Sequence, residues 1–115
     1  MSLTVYGLKN CDTCKKALKA LQAAGKTVTF VDIRAEADLE SLLPQWSAKT
    51  PDDRLLNKKS TTWRNLTEDQ KAMAEDDVEI MSLLIDNPTL IKRPVIEAGS
   101  AVFVGWSKTE QSALL

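Results

Sequence analysis

Apolar positions change period along the chain, and the changes mark out its elements. Leu3 to Tyr6 form a short β-rich run. Beyond a polar turn, Ala17, Leu18, Leu21 and Ala24 recur at helical spacing from Cys14 until Gly25 offers a C-terminal cap. The stretch TVTFVDI, Thr27 to Ile33, is β-branched and bounded by polar residues, which predicts a second strand. A helix joining two strands predicts that they pair in parallel. From Asp38 to about Asn87 the spacing is helical throughout, in DLESLLPQW, LTEDQKAMAEDD and VEIMSLLID, with Thr67 and Gln70 placed as a capping box. After Pro88 the period shortens to two. PVIEA and AVFVGW flank Gly99 and Ser100, the pattern of an antiparallel hairpin. Ser107 and Glu110 make a second capping box for a short last helix.

The order β-α-β, helices, β-β, α predicts an α/β fold, a four-stranded mixed sheet with helices against it. A chain of 115 residues, 43% hydrophobic, suits one packed core, so a single domain over residues 1–115 is expected, with a helical insertion at about 37–88. Fifteen basic against sixteen acidic residues leave a net charge of −1. No overall field then draws the chain to nucleic acid or an anionic membrane, and neither is expected as a partner. The N-terminal MSLTVYGLKN lacks the basic start and apolar stretch of a secretory signal, so a cytoplasmic location is expected, where a disulfide is usually catalytic or sensory.

Both cysteines, Cys11 and Cys14, fall in the first strand-to-helix turn, in YGLKNCDTCKKALKALQAAG from Tyr6 to Gly25. With two cysteines and no histidine the chain is short of ligands for a structural zinc, and no metal is expected. A Cys-His dyad is ruled out as well. Burial as a small apolar residue suits Cys14, which begins the apolar stripe, better than Cys11, which lies in the polar turn KNCDT. As a pair, C-x-x-C at a strand-to-helix turn points to redox or thiol chemistry, because one helical turn brings the sulfurs within bonding reach. The start of a helix draws a thiol from a pKa near ~8.5 toward ~7. Asp12 opposes that shift at Cys11, and Lys9, Lys15 and Lys16 assist it weakly.

Four blocks, YGLKNCDTCKKAL (Tyr6 to Leu18), LLNKKSTTWRNL (Leu55 to Leu66), LIKRPVI (Leu90 to Ile96) and VGWS (Val104 to Ser107), lie in order and at family-like separations. In these the chain resembles the arsenate reductase (ArsC) family of thioredoxin-like proteins, and within it the YffB and Spx branches. The resemblance implies a thioredoxin-like sheet with a helical insertion, Cys11 as the reactive thiol, and Arg93 beside it before a cis-proline, Pro94. It implies glutathione as co-substrate, with no bound cofactor, and glutaredoxin as a possible electron partner. Arsenate-reducing members hold the oxyanion with several arginines, of which Arg93 matches one. Asn57 and Gly105 stand where two others are expected. Asn57 and the VGW ending look like YffB and Spx, and Cys14 is shared with Spx, whose pair is the redox switch of a regulator that binds RNA polymerase.

The expected activity is therefore a cytoplasmic thiol-dependent reductase of the ArsC/YffB type. Cys11 is its nucleophile, Cys14 its resolving thiol and Arg93 the stabiliser of anion and thiolate. Asn10, Lys15, Asn57, Arg93 and Pro94 are expected to bind substrate. The alternative is an Spx-like regulator whose Cys11–Cys14 disulfide toggles a contact with RNA polymerase. Lys58, Lys59 and Arg64 form a basic cluster suited to a carboxylate or to solvent. The run EDDVE, Glu75 to Glu79, is expected to favour the start of the next helix. Trp46, Trp63 and Trp106 are expected in packing, with Trp106 late enough in the sheet to border the thiols.

Overall fold

The computed structural model describes residues 2–50 and 55–115. The chain divides into two compact units, residues 1–37 with 93–115, and residues 38–92.

The first unit is built on the β-α-β start and the C-terminal hairpin. It contains β1 (Ser2–Gly7), α1 (Asp12–Ala23), β2 (Thr27–Asp32), β3 (Val95–Ala98) and β4 (Ala101–Val104). The order in the sheet is β2-β1-β3-β4, with β1 parallel to β2 and antiparallel to β3, and β4 antiparallel to β3. This is the α/β fold with a four-stranded mixed sheet that the periodicity predicts. Register follows the pleat: Val5 sits opposite Phe30 on one side and Ile96 on the other, and Ile96 opposite Phe103. Alternate residues of a strand share a face. Leu3 and Val5 therefore enter the core with Leu21 of α1, Ile96 and Leu114, and Leu18, Phe30, Phe103 and Trp106 close around them.

A glycine ends α1. At its C-terminus Gly25, at φ 79°, lets its own N–H reach the Gln22 carbonyl (3.0 Å) and the Lys26 N–H reach that of Leu21 (3.0 Å). This Schellman arrangement satisfies carbonyls the helix would otherwise leave open and sends the chain straight into β2. On the other face of β1, the Tyr6 hydroxyl donates to Glu97 Oε1 at 2.9 Å. Burial first, then this bond and the nearby Glu97 charge, push the Tyr6 phenol from 10.0 up to about 12. The hairpin turns at Gly99, φ 61°, as its two-residue loop requires. The last helix, named α6 below (Lys108–Leu114), starts from the expected capping box, with the Ser107 N–H donating to Glu110 Oε1 at 2.7 Å.

The second unit is helical: α2 (Leu39–Lys49), α3 (Thr61–Arg64), α4 (Glu68–Met73) and α5 (Glu79–Asp86), followed by a 3₁₀ turn at Pro88–Leu90. Leu39, Leu43 and Trp46 make a buried stripe on α2, and Ile80, Leu83 and Leu84 make another on α5, against which α2 packs. Thr67 and Gln70 form the predicted capping box of α4. The long helix expected through Asp77 stops at Met73, because Asp76 Oδ1 accepts the N–H groups of Val78 and Glu79 (2.9 Å each) and starts α5 afresh. The capping role expected of the acidic run thus falls to Asp76. The period of two expected from Pro88 begins only at Val95. Before it come the 3₁₀ turn and a one-residue bridge of Ile91 to Leu56. Trp46 is fully buried, as expected. Trp63 is only partly buried, with the ammonium groups of Lys58 and Lys71 over its ring at 5.5 and 5.9 Å.

Leu21 is the one α1 residue in the buried cluster that joins β1 and β3. Leu21→Ala should therefore lower the unfolding free energy by about 2–5 kcal/mol, measured by urea titration. A loss under ~1 kcal/mol would mean that the helix is not fastened to the sheet at this point.

Candidate active site

The end of β1, the turn after it and the first turn of α1 place the two cysteines. The Cys11 N–H donates to the Leu8 carbonyl at 3.2 Å, which tightens the turn, and Cys11 then takes the N-cap position with extended backbone (φ −92°, ψ 119°). Its carbonyl accepts the Lys15 N–H at 3.0 Å and opens the helical ladder. One turn further, Cys14 lies on the inner face of α1. Cys11 is partly exposed, whereas Cys14 is completely buried at 0% exposure. The sulfurs are free thiols.

Their surroundings drive the two thiols apart. Partial burial would raise the Cys11 pKa, but it is outweighed by the backbone N–H and the S–H of Cys14 and by hydrogen bonding and charge from the Arg93 guanidinium, and the net direction is down from 9.0. The neutral sulfur makes no formal cap bond; these groups act on the thiolate. At Cys14 burial dominates and pushes the thiol from 9.0 up to about 12. The Cys11 sulfur and its charge add to the rise, while the Leu8 N–H and Arg93 partly offset it. The arrangement pairs a partly exposed thiol poised to ionise, and so to act as a nucleophile, with a buried one held protonated against it.

Of the other expected site residues, Arg93 is at Cys11 and Pro94 follows it through a cis peptide bond. The Pro94 carbonyl accepts the Gly105 N–H at 2.8 Å, so the loop carrying Arg93 is tied to the end of β4. Asn10 and Lys15 have exposed side chains in the turn and on the outer face of α1. Asn57 belongs to the second unit. There its N–H donates to the Leu90 carbonyl (2.8 Å) and its Oδ1 accepts the Lys59 N–H (3.0 Å), a turn-forming role. In the basic cluster, Lys58 stacks on Trp63, and Arg64 Nη2 donates to Thr61 Oγ1 at 3.2 Å. Lys58 and Lys59 line an open cavity of about 570 Å³ with Leu56, Asn57 and Lys92. Trp106 packs on the core cluster of the first unit. Sequence reasoning missed Leu8, whose backbone N–H serves the Cys14 sulfur, because a main-chain donor leaves no mark in residue type.

A model of the ArsC family matches residues 6–114, nearly the whole chain and the thiol turn with it. The chain belongs to the ArsC family. Among its relatives, an uncharacterized protein of Haemophilus influenzae is 42% identical over 111 residues, covering 96% of each chain. The solved structure of a protein named YFFB is 36% identical, covers 98% of both chains and has a TM-score of 0.88. The global transcriptional regulator Spx of Staphylococcus saprophyticus is 28% identical over 110 residues, covering 94% of this chain and 82% of its own. Members with and without a regulatory name therefore share this ArsC family scaffold. No helix among the described residues is long and apolar enough to cross a membrane.

If the Cys11 thiolate is held as described, iodoacetamide should label Cys11 with a pH midpoint below 9.0, and labelling should fall away as pH drops through that midpoint. The same lowered pKa contributes stability that is full above the unfolded value near 9.0 and lost as pH falls through the folded one. Arg93→Ala should move the labelling midpoint upward with the far-ultraviolet circular dichroism unchanged. A midpoint that stays in place would remove Arg93 from the site.

Proposed function

We propose that the protein is a cytoplasmic thiol-dependent reductase that uses Cys11 as nucleophile and Cys14 as resolving thiol, with glutathione as the reductant. The observation that carries this reading is the opposed environment of the two sulfurs, one ionising easily beside Arg93 and the other buried and protonated. The family match supports thiol chemistry of this kind.

The cycle is a pair of exchanges. The Cys11 thiolate attacks one sulfur of a disulfide substrate. A bond forms from Cys11 to that sulfur, the substrate S–S bond breaks, and the other half leaves as a thiolate that takes a proton from solvent. Cys14 then gives up its proton and attacks Cys11 Sγ. The Cys11–Cys14 disulfide forms, the mixed disulfide breaks, and the second half leaves as a thiol. The substrate has gained two electrons and the cysteine pair has lost them. Two equivalents of glutathione restore the dithiols by the same exchange and leave as glutathione disulfide. Arg93 holds the thiolate in each state where Cys11 is free. Asn10 and Lys15, on the exposed side of the turn, and Pro94, which fixes the backbone after Arg93, are the remaining residues assigned to substrate in this unit. Asn57 is assigned on the resemblance alone.

Arsenate is a poor fit to this site. Asn57 and Gly105 replace two arginines expected from the resemblance, and Gly105, at φ 90°, occupies a backbone conformation that an arginine adopts only under strain. Each missing charge-assisted bond is worth about 1.5–3 kcal/mol, so arsenate turnover with glutathione and glutaredoxin should be weaker by tens to hundreds of fold per site than in a three-arginine member.

The similarity to Spx supports a second reading, in which the same disulfide closure toggles a contact with RNA polymerase. A pull-down with RNA polymerase under oxidising and reducing conditions separates it from turnover. The chemistry common to both is tested with glutathione disulfide. In Cys14→Ser the glutathione adduct on Cys11 should persist, seen as a mass increase on the Cys11 peptide, whereas Cys11→Ser should stay unmodified. Clearance from Cys14→Ser as fast as from wild type would assign resolution to an external thiol and reduce Cys14 to a core residue.

A further inference from the structure

Gly7 is the one glycine whose backbone does not explain it. Gly25, Gly99 and Gly105 sit at φ 79°, 61° and 90°, where a side chain is strained; Gly7, the last residue of β1, is not among the positive-φ glycines. It lies on the strand face that carries Leu3 and Val5, and the series Leu3, Val5, Gly7 would ordinarily send a third apolar side chain toward α1. The space is taken by sulfur. A Cβ on Gly7 would lie 2.5 Å from Cys14 Sγ and 3.3 Å from Cys14 Cβ, inside the ~3.5–4.0 Å at which such atoms attract. In that space the sulfur receives the Leu8 N–H and faces Cys11.

We infer that Gly7 is a positioning residue for the Cys14 thiol: its missing side chain is the slot that holds the sulfur between the end of β1 and Cys11. The inference rests on Cys14 being the resolving thiol. An exchange needs the attacking sulfur aligned on Cys11 Sγ, so that the Cys11–Cys14 bond forms as the bond from Cys11 to the outer sulfur breaks, with the electron pair and the proton that Cys14 gives up both ending on the outer sulfur, which leaves as a thiol. A methyl at residue 7 must displace the thiol from its place beside Leu8 and Cys11, by a turn about the Cys14 side chain together with a small shift of Cys14 Cβ.

The test uses the full chain and glutathione disulfide as probe, with no free thiol present. It compares wild type, Gly7→Ala, Cys14→Ala and the double variant. Gly7→Ala should clear the Cys11 adduct at least about tenfold more slowly than wild type, a cost in keeping with small misplacements of reacting groups. It should also raise the pH midpoint of Cys11 alkylation, because the S–H that steadies the thiolate has swung away. In the Cys14→Ala background, adding Gly7→Ala should leave that midpoint where Cys14→Ala put it, since the methyl has no sulfur to displace. A general disturbance of the turn would instead shift both backgrounds alike, and that result, or wild-type clearance in Gly7→Ala, overturns the inference. Should Gly7→Ala fail to fold, recovery of the fold in the double variant identifies the sulfur as the obstacle, and failure there refutes it. Wild-type clearance by Cys14→Ala alone would defeat the resolving role itself, and the alkylation midpoints would still decide the slot.

Discussion

The packing of the first turn of α1 onto the end of β1 is the constraint from which the site follows. It buries Cys14 completely while leaving Cys11 at the N-cap partly exposed, so two identical side chains one turn apart acquire opposite proton affinities. The core of the first unit exists to hold that junction: Leu3 and Val5 fix the strand, Leu21 fixes the helix, and the Gly25 terminus fixes where the helix ends. With no histidine in the chain, the proton affinities come from burial, main-chain donors, one guanidinium and the action of each sulfur on the other.

That junction was legible in the sequence because its parts are local. C-x-x-C spacing, a β-rich run before it and a helical stripe after it all lie within residues 3–25, and period and capping rules operate over that range. The C-terminal hairpin and both capping boxes were legible for the same reason. Helix bounds in the second unit were not. The helix expected through Asp77 ends early because a side-chain acceptor at Asp76 competes with the backbone ladder, and Thr61–Arg64 and Pro88–Leu90 are too short to show a period.

Arg93 was placed beside Cys11 by resemblance and not by pattern, since nothing in IKRP announces a partner so far back along the chain. Gly7 and Leu8 illustrate a harder limit. In YGLKN the glycine reads as an ordinary turn residue, and its role shows only when a sulfur from the next element fills the place of its side chain. A residue chosen for the atom it lacks, or for its main-chain N–H, is visible only in three dimensions.

The causes acting on Cys14 also order the proposed cycle. While Cys11 is a thiolate, its charge and its hydrogen bond with the Cys14 S–H both hold the inner thiol protonated, on top of burial. Once Cys11 enters a mixed disulfide, its sulfur is neutral and both of those influences vanish. The Leu8 N–H and the Arg93 charge, which favour ionisation of Cys14, remain in place and meet less opposition. Burial still restrains the thiol, so the gain is partial. The first exchange therefore eases the second: Cys14 is least nucleophilic when its attack would be premature and more so when an adduct is there to be displaced. The charge on one sulfur is thus a signal to the other.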